Sequence, residues 1–255
     1  MSFPGGTVTL LFSDVEGSTR LVQQLGDDYA GVEAEHRRIM REACTGAGGH
    51  EIDRQGDSFF FSFPRARDAV AGALAGQRAL AAHQWPDGVE VKVRMGLHTG
   101  EPSVGEEGYL GLDVIRAARI GAAAHGGQIL VSETTRALLS GSTELKDLGE
   151  HRLKGMEQPE RLYQVVADDL PATFPAPRAD ASPAVEDELS ARIESYVEKT
   201  LVEAFEGGVE PFRWGKRTIT GPRGATAKLR SLVSLLLALA LGLIAIAWLI
   251  KVLFF

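Results

Sequence analysis

A single cysteine, Cys44, stands in a chain of 255 residues. That scarcity excludes an internal disulfide framework and any zinc site built on thiolates. It fits a reducing compartment, and the thiol reads as a helix-packing group rather than a nucleophile. Histidines are few and scattered, at His36, His50, His83, His98, His125 and His151. None has metal-ligand spacing, so they read as structural or surface groups. Positive charge is in deficit, with 27 Lys and Arg against 34 Asp and Glu for a net charge of −7, which argues against a nucleic-acid partner. The opening M-S-F-P-G-G lacks the basic flank and apolar run of a secretory signal, so the globular part is expected in the cytoplasm. A strict strand–helix alternation is also missing. The mixed order that replaces it predicts an α+β fold, a mixed and largely antiparallel sheet flanked by helices.

What is present is organised around residues 7–20, T-V-T-L-L-F-S-D-V-E-G-S-T-R. Thr7 to Ser13 has the short apolar character of a core strand, and Asp14 falls where that strand would surface. Gly17, Ser18 and Thr19 then supply a flexible turn and helix-capping hydroxyls. A carboxylate beside free helix-start N–H groups suits a metal-bound phosphate. Strand–Asp–Gly–helix turns also occur without such a ligand, and on this stretch alone both readings stand.

Downstream, the spacing of Leu21, Val22, Leu25, Tyr29, Val32, His36, Ile39 and Met40 predicts one helix from Ser18 to about Thr45. Two short extended runs follow, His50 to Gln55 and Ser58 to Phe63, and Gly56-Asp57 between them reads as a tight hairpin turn. Its tip carries a second aspartate, although aspartate also simply favours turns. An alanine-rich helix is expected from Pro64 to about His83 and a strand from Val89 to His98. A Gly-rich reversal over 99–109 and a helix from Gly111 to Ala124 come next, then a short strand from Gln128 to Val131. A helix from Ser132 to Leu139 and strands near 144–148 and 161–166 close the first domain, 1–168. Asp14 and Asp57 could then meet at one sheet edge, each near a glycine that lets backbone approach a ligand. Two carboxylates so placed suit two-metal phosphoryl transfer.

Four blocks strengthen this reading together. They are L-F-S-D-V-E-G-S-T (residues 11–19 with Leu10 before them), G-G-H-E-I-D-R-Q-G-D-S-F-F-F-S-F (48–63), R-M-G-L-H-T-G-E (94–101) and G-L-D-V-I-R-A-A-R-I (111–120), followed by L-K-G (153–155). In this order they resemble the class III nucleotidyl (adenylate/guanylate) cyclase catalytic domain along almost all of Thr7 to Val166. The resemblance implies a cyclase-type α+β domain acting as a head-to-tail homodimer with sites at the interface. It also implies a nucleoside triphosphate substrate and two Mg²⁺ or Mn²⁺ ions per site. By the same resemblance Asp14, Asp57 and the Val15 carbonyl bind metal, and the backbone of Val15, Glu16, Gly17, Ser18 and Thr19 cradles phosphates. Arg119 is implied as the transition-state arginine given to the opposite protomer, and Lys154 as a triphosphate contact.

Three positions depart from the family pattern. Asp53 stands where purine cyclases carry a base-selecting lysine, Gly108 where the partner aspartate falls, and Ile115 where an asparagine orients the ribose. An apolar side chain cannot make that hydrogen bond. The metal and phosphate half of the site is thus kept while the base and ribose half is rewritten, so the base need not be adenine and a pyrimidine is open. Arg116 and Asp113 either replace lost contacts or form an exposed i,i+3 ion pair. The expected activity is conversion of a nucleoside triphosphate to a 3′,5′-cyclic nucleotide and pyrophosphate. The alternative is a catalytically silent nucleotide-binding signalling module at the membrane.

The remainder changes character. Residues 169–184 form a Pro/Ala-rich linker, 185–207 an acidic amphipathic helix, and 208–230 a basic juxtamembrane segment. Within 231–251 the unbroken apolar run from Leu232 to Ile250 is long enough, at about 1.5 Å per residue, for a bilayer core of about 30 Å. Arg213, Lys216, Arg217, Arg223, Lys228 and Arg230 precede it without an acidic residue between them. The positive-inside rule therefore predicts a single-pass anchor in the cell membrane with the catalytic domain cytoplasmic.

Overall fold

The structure, a computed structural model, describes residues 3–105, 108–139, 141 and 143–178. The expected amphipathic helix, basic segment and membrane span lie outside the described residues, as does the last part of the linker. Among the described residues no helix is long and apolar enough to cross a membrane.

The chain opens with β1 (Val8–Val15), which passes into α1 (Ser18–Leu25) and α2 (Tyr29–Gly46). The one long helix expected here is therefore two. Gly26 at φ 55° breaks it, and a short 3₁₀ turn over Gly26–Asp28 redirects the chain. A hairpin follows, β2 (His50–Gln55) and β3 (Ser58–Phe63), and then α3 (Ala66–Ala82). β4 (Val93–Gly100) starts later than the apolar alternation suggested. The cause is tertiary: its ladder with β1 begins where Val93 faces Val15, and β1 ends there. Inside the Gly-rich reversal, β5 (Ser103–Val104) and β6 (Tyr109–Leu110) form a small ladder. Next come α4 (Leu112–Ala123), β7 (Ile129–Ser132), α5 (Glu133–Leu138), β8 (Leu145–His151) and β9 (Glu160–Val165).

Seven strands make one sheet in the order β2-β3-β1-β4-β7-β9-β8. Only β4 and β7 run parallel; every other neighbouring pair is antiparallel. Both faces are covered, so β1 at the centre is apolar on both sides and shows no polar alternation. On one face Leu11, Phe59, Phe61, Val93, Met95 and Leu97 pack with Val32, Ile39 and Met40 of α2 and Ala69, Val70 and Ala73 of α3. On the other, Val8, Leu10 and Phe60 meet Tyr109, Val114 and Ala117. Farther along that face Ile120 and Ala123 of α4 pack with Leu130 and Leu162.

The seating of α4 on this second face depends on glycine. A Cβ on Gly96 of β4 would lie 2.0 Å from the Gly121 nitrogen of α4. Backbone thus meets backbone with no room for a side chain. This contact sets the height of α4 above the sheet, and with it the height of Arg119.

Candidate active site

β1 delivers Asp14 to its C-terminal end, one residue before the strand stops. The hairpin turn between β2 and β3 delivers Asp57, and register does the rest. β1 pairs with β3 so that Ser13 faces Phe59, which brings Ser58 and Asp57 alongside Asp14 and Val15. Gly56 at φ 56° makes the tight turn possible. Both carboxylates are buried, at 6% and 3% exposure. They are near enough for the Asp57 charge to act on Asp14. The structure therefore brings together the two aspartates that the sequence separates by over forty residues.

Asp14 is held on two sides. The Ser58 hydroxyl donates to its Oδ1 at 2.6 Å, and Arg94 donates to its Oδ2 from Nε at 3.0 Å and Nη2 at 2.5 Å. Arg94 is itself buried, directly across the β1–β4 ladder from Asp14. Burial pushes the Asp14 carboxyl above the ordinary carboxylate range; Arg94 opposes that shift and Asp57 adds to it. Two buried carboxylates beside one another are a charge arrangement that divalent cations would favour.

The sequence reading quoted Arg94 within a matching block and gave it no role. Nothing local singles Arg94 out, because Glu90, Lys92 and Arg94 fall alike on the charged phase of the alternation from Val89 to Leu97.

The donor set fits hard divalent cations. Carboxylate and carbonyl oxygens suit Mg²⁺ or Mn²⁺, which bind through one or two carboxylates and take the rest of their shell from phosphate and water. Among the described residues no group of three or more His, Cys, Asp and Glu could hold a metal by itself. The two aspartates with the Val15 carbonyl could hold such a cation where a phosphate ligand completed its shell.

Val15 to Thr19 form the turn from β1 into α1. Gly17 is its left-handed residue at φ 69°, and α1 starts there without a side-chain cap. Ser18 is buried, while Gly17 and Thr19 are exposed. The Glu16 N–H donates to the Lys92 carbonyl at 2.8 Å, and its carboxylate accepts the Gly126 N–H at 3.2 Å and the Arg178 guanidinium. Burial pushes the Glu16 carboxyl up, yet Arg178 and Gly126 bring it below its ordinary range.

Arg119 is half-buried on α4, two residues before Gly121, and Lys154 is exposed in the turn between β8 and β9. Asp53 sits at an irregularity in the β2–β3 pairing, and its carboxylate accepts the Arg54 N–H at 2.7 Å. Gly108 is buried at the start of β6, where its carbonyl accepts the Gly105 N–H at 2.7 Å, and Ile115 is half-buried on α4.

Asp113 and Arg116 do form an ion pair, at 3.2 Å, but a half-buried one that belongs to a larger network. Asp113 also accepts from His98 Nε2 at 3.1 Å and from the Glu101 N–H at 3.0 Å, and Arg116 reaches Glu160 at 2.5 Å. Because carboxylate only accepts, the His98 proton sits on Nε2, and Nδ1 is left to accept from Ser132 at 2.9 Å. These groups tie α4 to the sheet.

Two buried carboxylates, one at the end of central strand β1 and one on the β2–β3 hairpin turn, lie beside the strand-to-helix turn on an α+β sheet. Comparison with known proteins identifies the family. The adenylate and guanylate cyclase catalytic domain family matches residues 3–167, and the chain belongs to that family. An uncharacterised protein of Mycobacterium tuberculosis is 41% identical over 187 residues, covering 71% of this chain and 63% of that protein. The chain thus spans less than two thirds of that relative's length. An adenylate cyclase of Neurospora crassa is 30% identical over 222 residues, covering 64% of this chain and 10% of the fungal one. Among solved structures, an adenylate cyclase of Trypanosoma brucei in its monomeric state superposes with a TM-score of 0.66 at 25% identity. That match covers 71% of this chain and 97% of the other. The adenylyl cyclase CyaB of P. aeruginosa superposes at 0.58 and 25% identity, over 66% and 97%.

Proposed function

We propose that this chain is a nucleotidyl cyclase that converts a nucleoside triphosphate into a 3′,5′-cyclic nucleotide and pyrophosphate as a homodimer. The observation that carries the reading is the buried Asp14–Asp57 pair, brought together at the end of β1 with Arg94 on Asp14. In the reaction the ribose 3′ oxygen bonds to the α-phosphorus, the bond from that phosphorus to the bridging oxygen breaks, and the hydroxyl proton leaves to solvent. Bound Mg²⁺ or Mn²⁺ supplies charge neutralisation on the triphosphate and a lowered pKa for the attacking hydroxyl.

The chain's own groups do the rest. Asp14, Asp57 and the Val15 carbonyl would hold the cations, and Arg94 opposes the effect of burial on Asp14 and fixes its orientation. The turn from Val15 to Thr19, apart from the Glu16 N–H that the Lys92 carbonyl accepts, presents its backbone and a helix N-terminus to phosphate, with Lys154 as a further contact. Arg119, from the partner copy, stabilises charge that grows on the transferring phosphorus. Asp53, Gly108 and Ile115 leave the base unspecified, and a pyrimidine is among the candidates. The apolar run from Leu232 to Ile250 and its basic flank support a single-pass membrane anchor, with the catalytic part on the cytoplasmic side.

The test is incubation of the full chain with Mn²⁺ and then Mg²⁺ against ATP, GTP, CTP and UTP separately, with products resolved by mass spectrometry. A cyclic product from one of them is expected. No product from any, with Mn²⁺-dependent nucleotide binding retained, would favour the silent membrane module, a reading that Asp53, Gly108 and apolar Ile115 at the altered positions support. The same preparation tests the anchor: release from membranes by alkaline carbonate would overturn it.

A further inference from the structure

Past β9 the chain runs as a strap over residues 167–178 without helix or strand, beyond the segment that matches the cyclase family. It is fastened along its length. Arg78 pairs with Asp169 at 2.6 Å, and Gln164 Nε2 donates to the Ala172 carbonyl at 2.9 Å. The Phe174 ring lies beside Gly127, 3.9 Å from where a Cβ would stand. His125 Nε2 donates to the Ala176 carbonyl at 2.9 Å, and the Arg178 N–H to the Ala123 carbonyl at 2.9 Å. The strap then ends with the Arg178 guanidinium on the carboxylate of Glu16.

Glu16 is the residue between the metal-ligating Val15 position and Gly17. The turn it belongs to enters α1 at a left-handed glycine with no side-chain cap, and the Glu16 N–H ties it to the Lys92 carbonyl. The Glu16 side chain in this turn is oriented by the Gly126 N–H and by Arg178. Both ionic partners are only partly exposed, at 23% and 29%, so solvent screens this pair less than a surface one.

We propose that Arg178 is a positioning residue for the nucleotide site: through Glu16 it holds the turn from Val15 to Thr19 in the shape that receives the triphosphate. The inference rests on the proposed cyclase reading. A phosphate cradle of backbone N–H groups binds well only when those groups are already aligned. An unfastened turn would have to order on binding, and affinity would fall.

Two measurements test this on the full chain, with Arg178→Ala and Arg178→Lys. Amide hydrogen exchange reads the turn directly, because the Glu16, Arg20 and Leu21 N–H groups are bonded there. Arg178→Ala is expected to speed exchange across residues 15–21 by about tenfold while β3 and β9 keep wild-type rates, and Arg178→Lys to retain most of the protection. Calorimetric binding of Mn²⁺ with inorganic tripolyphosphate reads the cradle without any choice of base. Arg178→Ala is expected to weaken it by about tenfold, the loss of one charge-assisted hydrogen bond, with partial recovery in Arg178→Lys. Unchanged exchange over 15–21 in Arg178→Ala overturns the inference, as does acceleration spread equally over the core strands. A wild-type chain that binds no Mn²⁺–tripolyphosphate overturns the cyclase reading and the role given to Arg178 in it, whereas a protected turn that loosens only in the variant would still show the fastening.

Discussion

His36 is buried on α2 with its ring centroid 5.8 Å from that of Phe59, and its ring nitrogens have no hydrogen-bond partner among the described residues. Burial therefore dominates its chemistry. It lowers the imidazole to about 4, although the Asp57 charge pulls the other way and Arg37 adds to the depression. The unfolded chain takes up this proton near pH 6.5 and the folded chain does not. Stability from His36 is thus complete above 6.5 and lost progressively as pH falls toward 4. Between pH 7 and pH 5 the loss from this group is about 2 kcal/mol. Urea melts of wild type and His36→Leu at the two pH values check it, and a variant with the same acid sensitivity as wild type would refute it. Cys44 shows the same effect in another group, since burial pushes its thiol up to about 12 and leaves it a packing residue, as its place in the sequence suggested. Asp14 is buried as deeply but is partnered by Arg94 and Ser58, so it stays usable where His36 stays inert.

Among the elements, α4 and β4 form the least tolerant contact. Gly96→Ala places a methyl 2.0 Å from backbone that cannot rotate away, so α4 must lift from the sheet. Overpacking against side chains costs about 1–3 kcal/mol, and this clash against backbone should exceed about 3 kcal/mol. A denaturation midpoint for Gly96→Ala within error of wild type would show that α4 sits elsewhere. The hairpin and the β1–α1 junction were legible as patterns, because glycine, aspartate and hydroxyl residues mark turns chemically. The break at Gly26 was missed for the opposite reason. The apolar spacing continues through it, since α1 and α2 both bury Leu21, Leu25, Val32 and Ile39 in one core. The late start of β4 was equally hidden, because the end of its partner strand sets it and no residue of its own does.

For the whole molecule the decisive claim is that one site draws on two chains. Asp57→Ala and Arg119→Ala are each expected to abolish turnover, for different reasons: one removes a cation ligand, the other the guanidinium offered to the partner. Mixed in equal amounts and allowed to exchange, the two inactive chains should recover about a quarter of wild-type activity, because half of the dimers are mixed and each holds one intact site. A mixture that stays inactive while mass spectrometry shows the chains have exchanged would refute the shared site. Membrane confinement of both copies would favour such pairing by raising their effective concentration.

Taken alone, the sequence determined the class of fold and the family, and it offered Asp14, Asp57 and the turn after β1 as candidates for the site. The candidates depend on short-range chemistry, a carboxylate and a glycine within a few residues of one another, and the family on four such blocks in a fixed order. The helix-capping hydroxyl expected at Ser18 or Thr19 is not found, since α1 starts at Gly17 without a side-chain cap. Only the tertiary structure decided that Arg94 is the counter-ion of Asp14, that Asp113 and Arg116 tie α4 to the sheet with His98 and Glu160, and that Arg178 closes on Glu16. Those pairings join residues far apart in the chain, and which charge meets which carboxylate depends on strand register and on the path of the strap. No local pattern encodes either one.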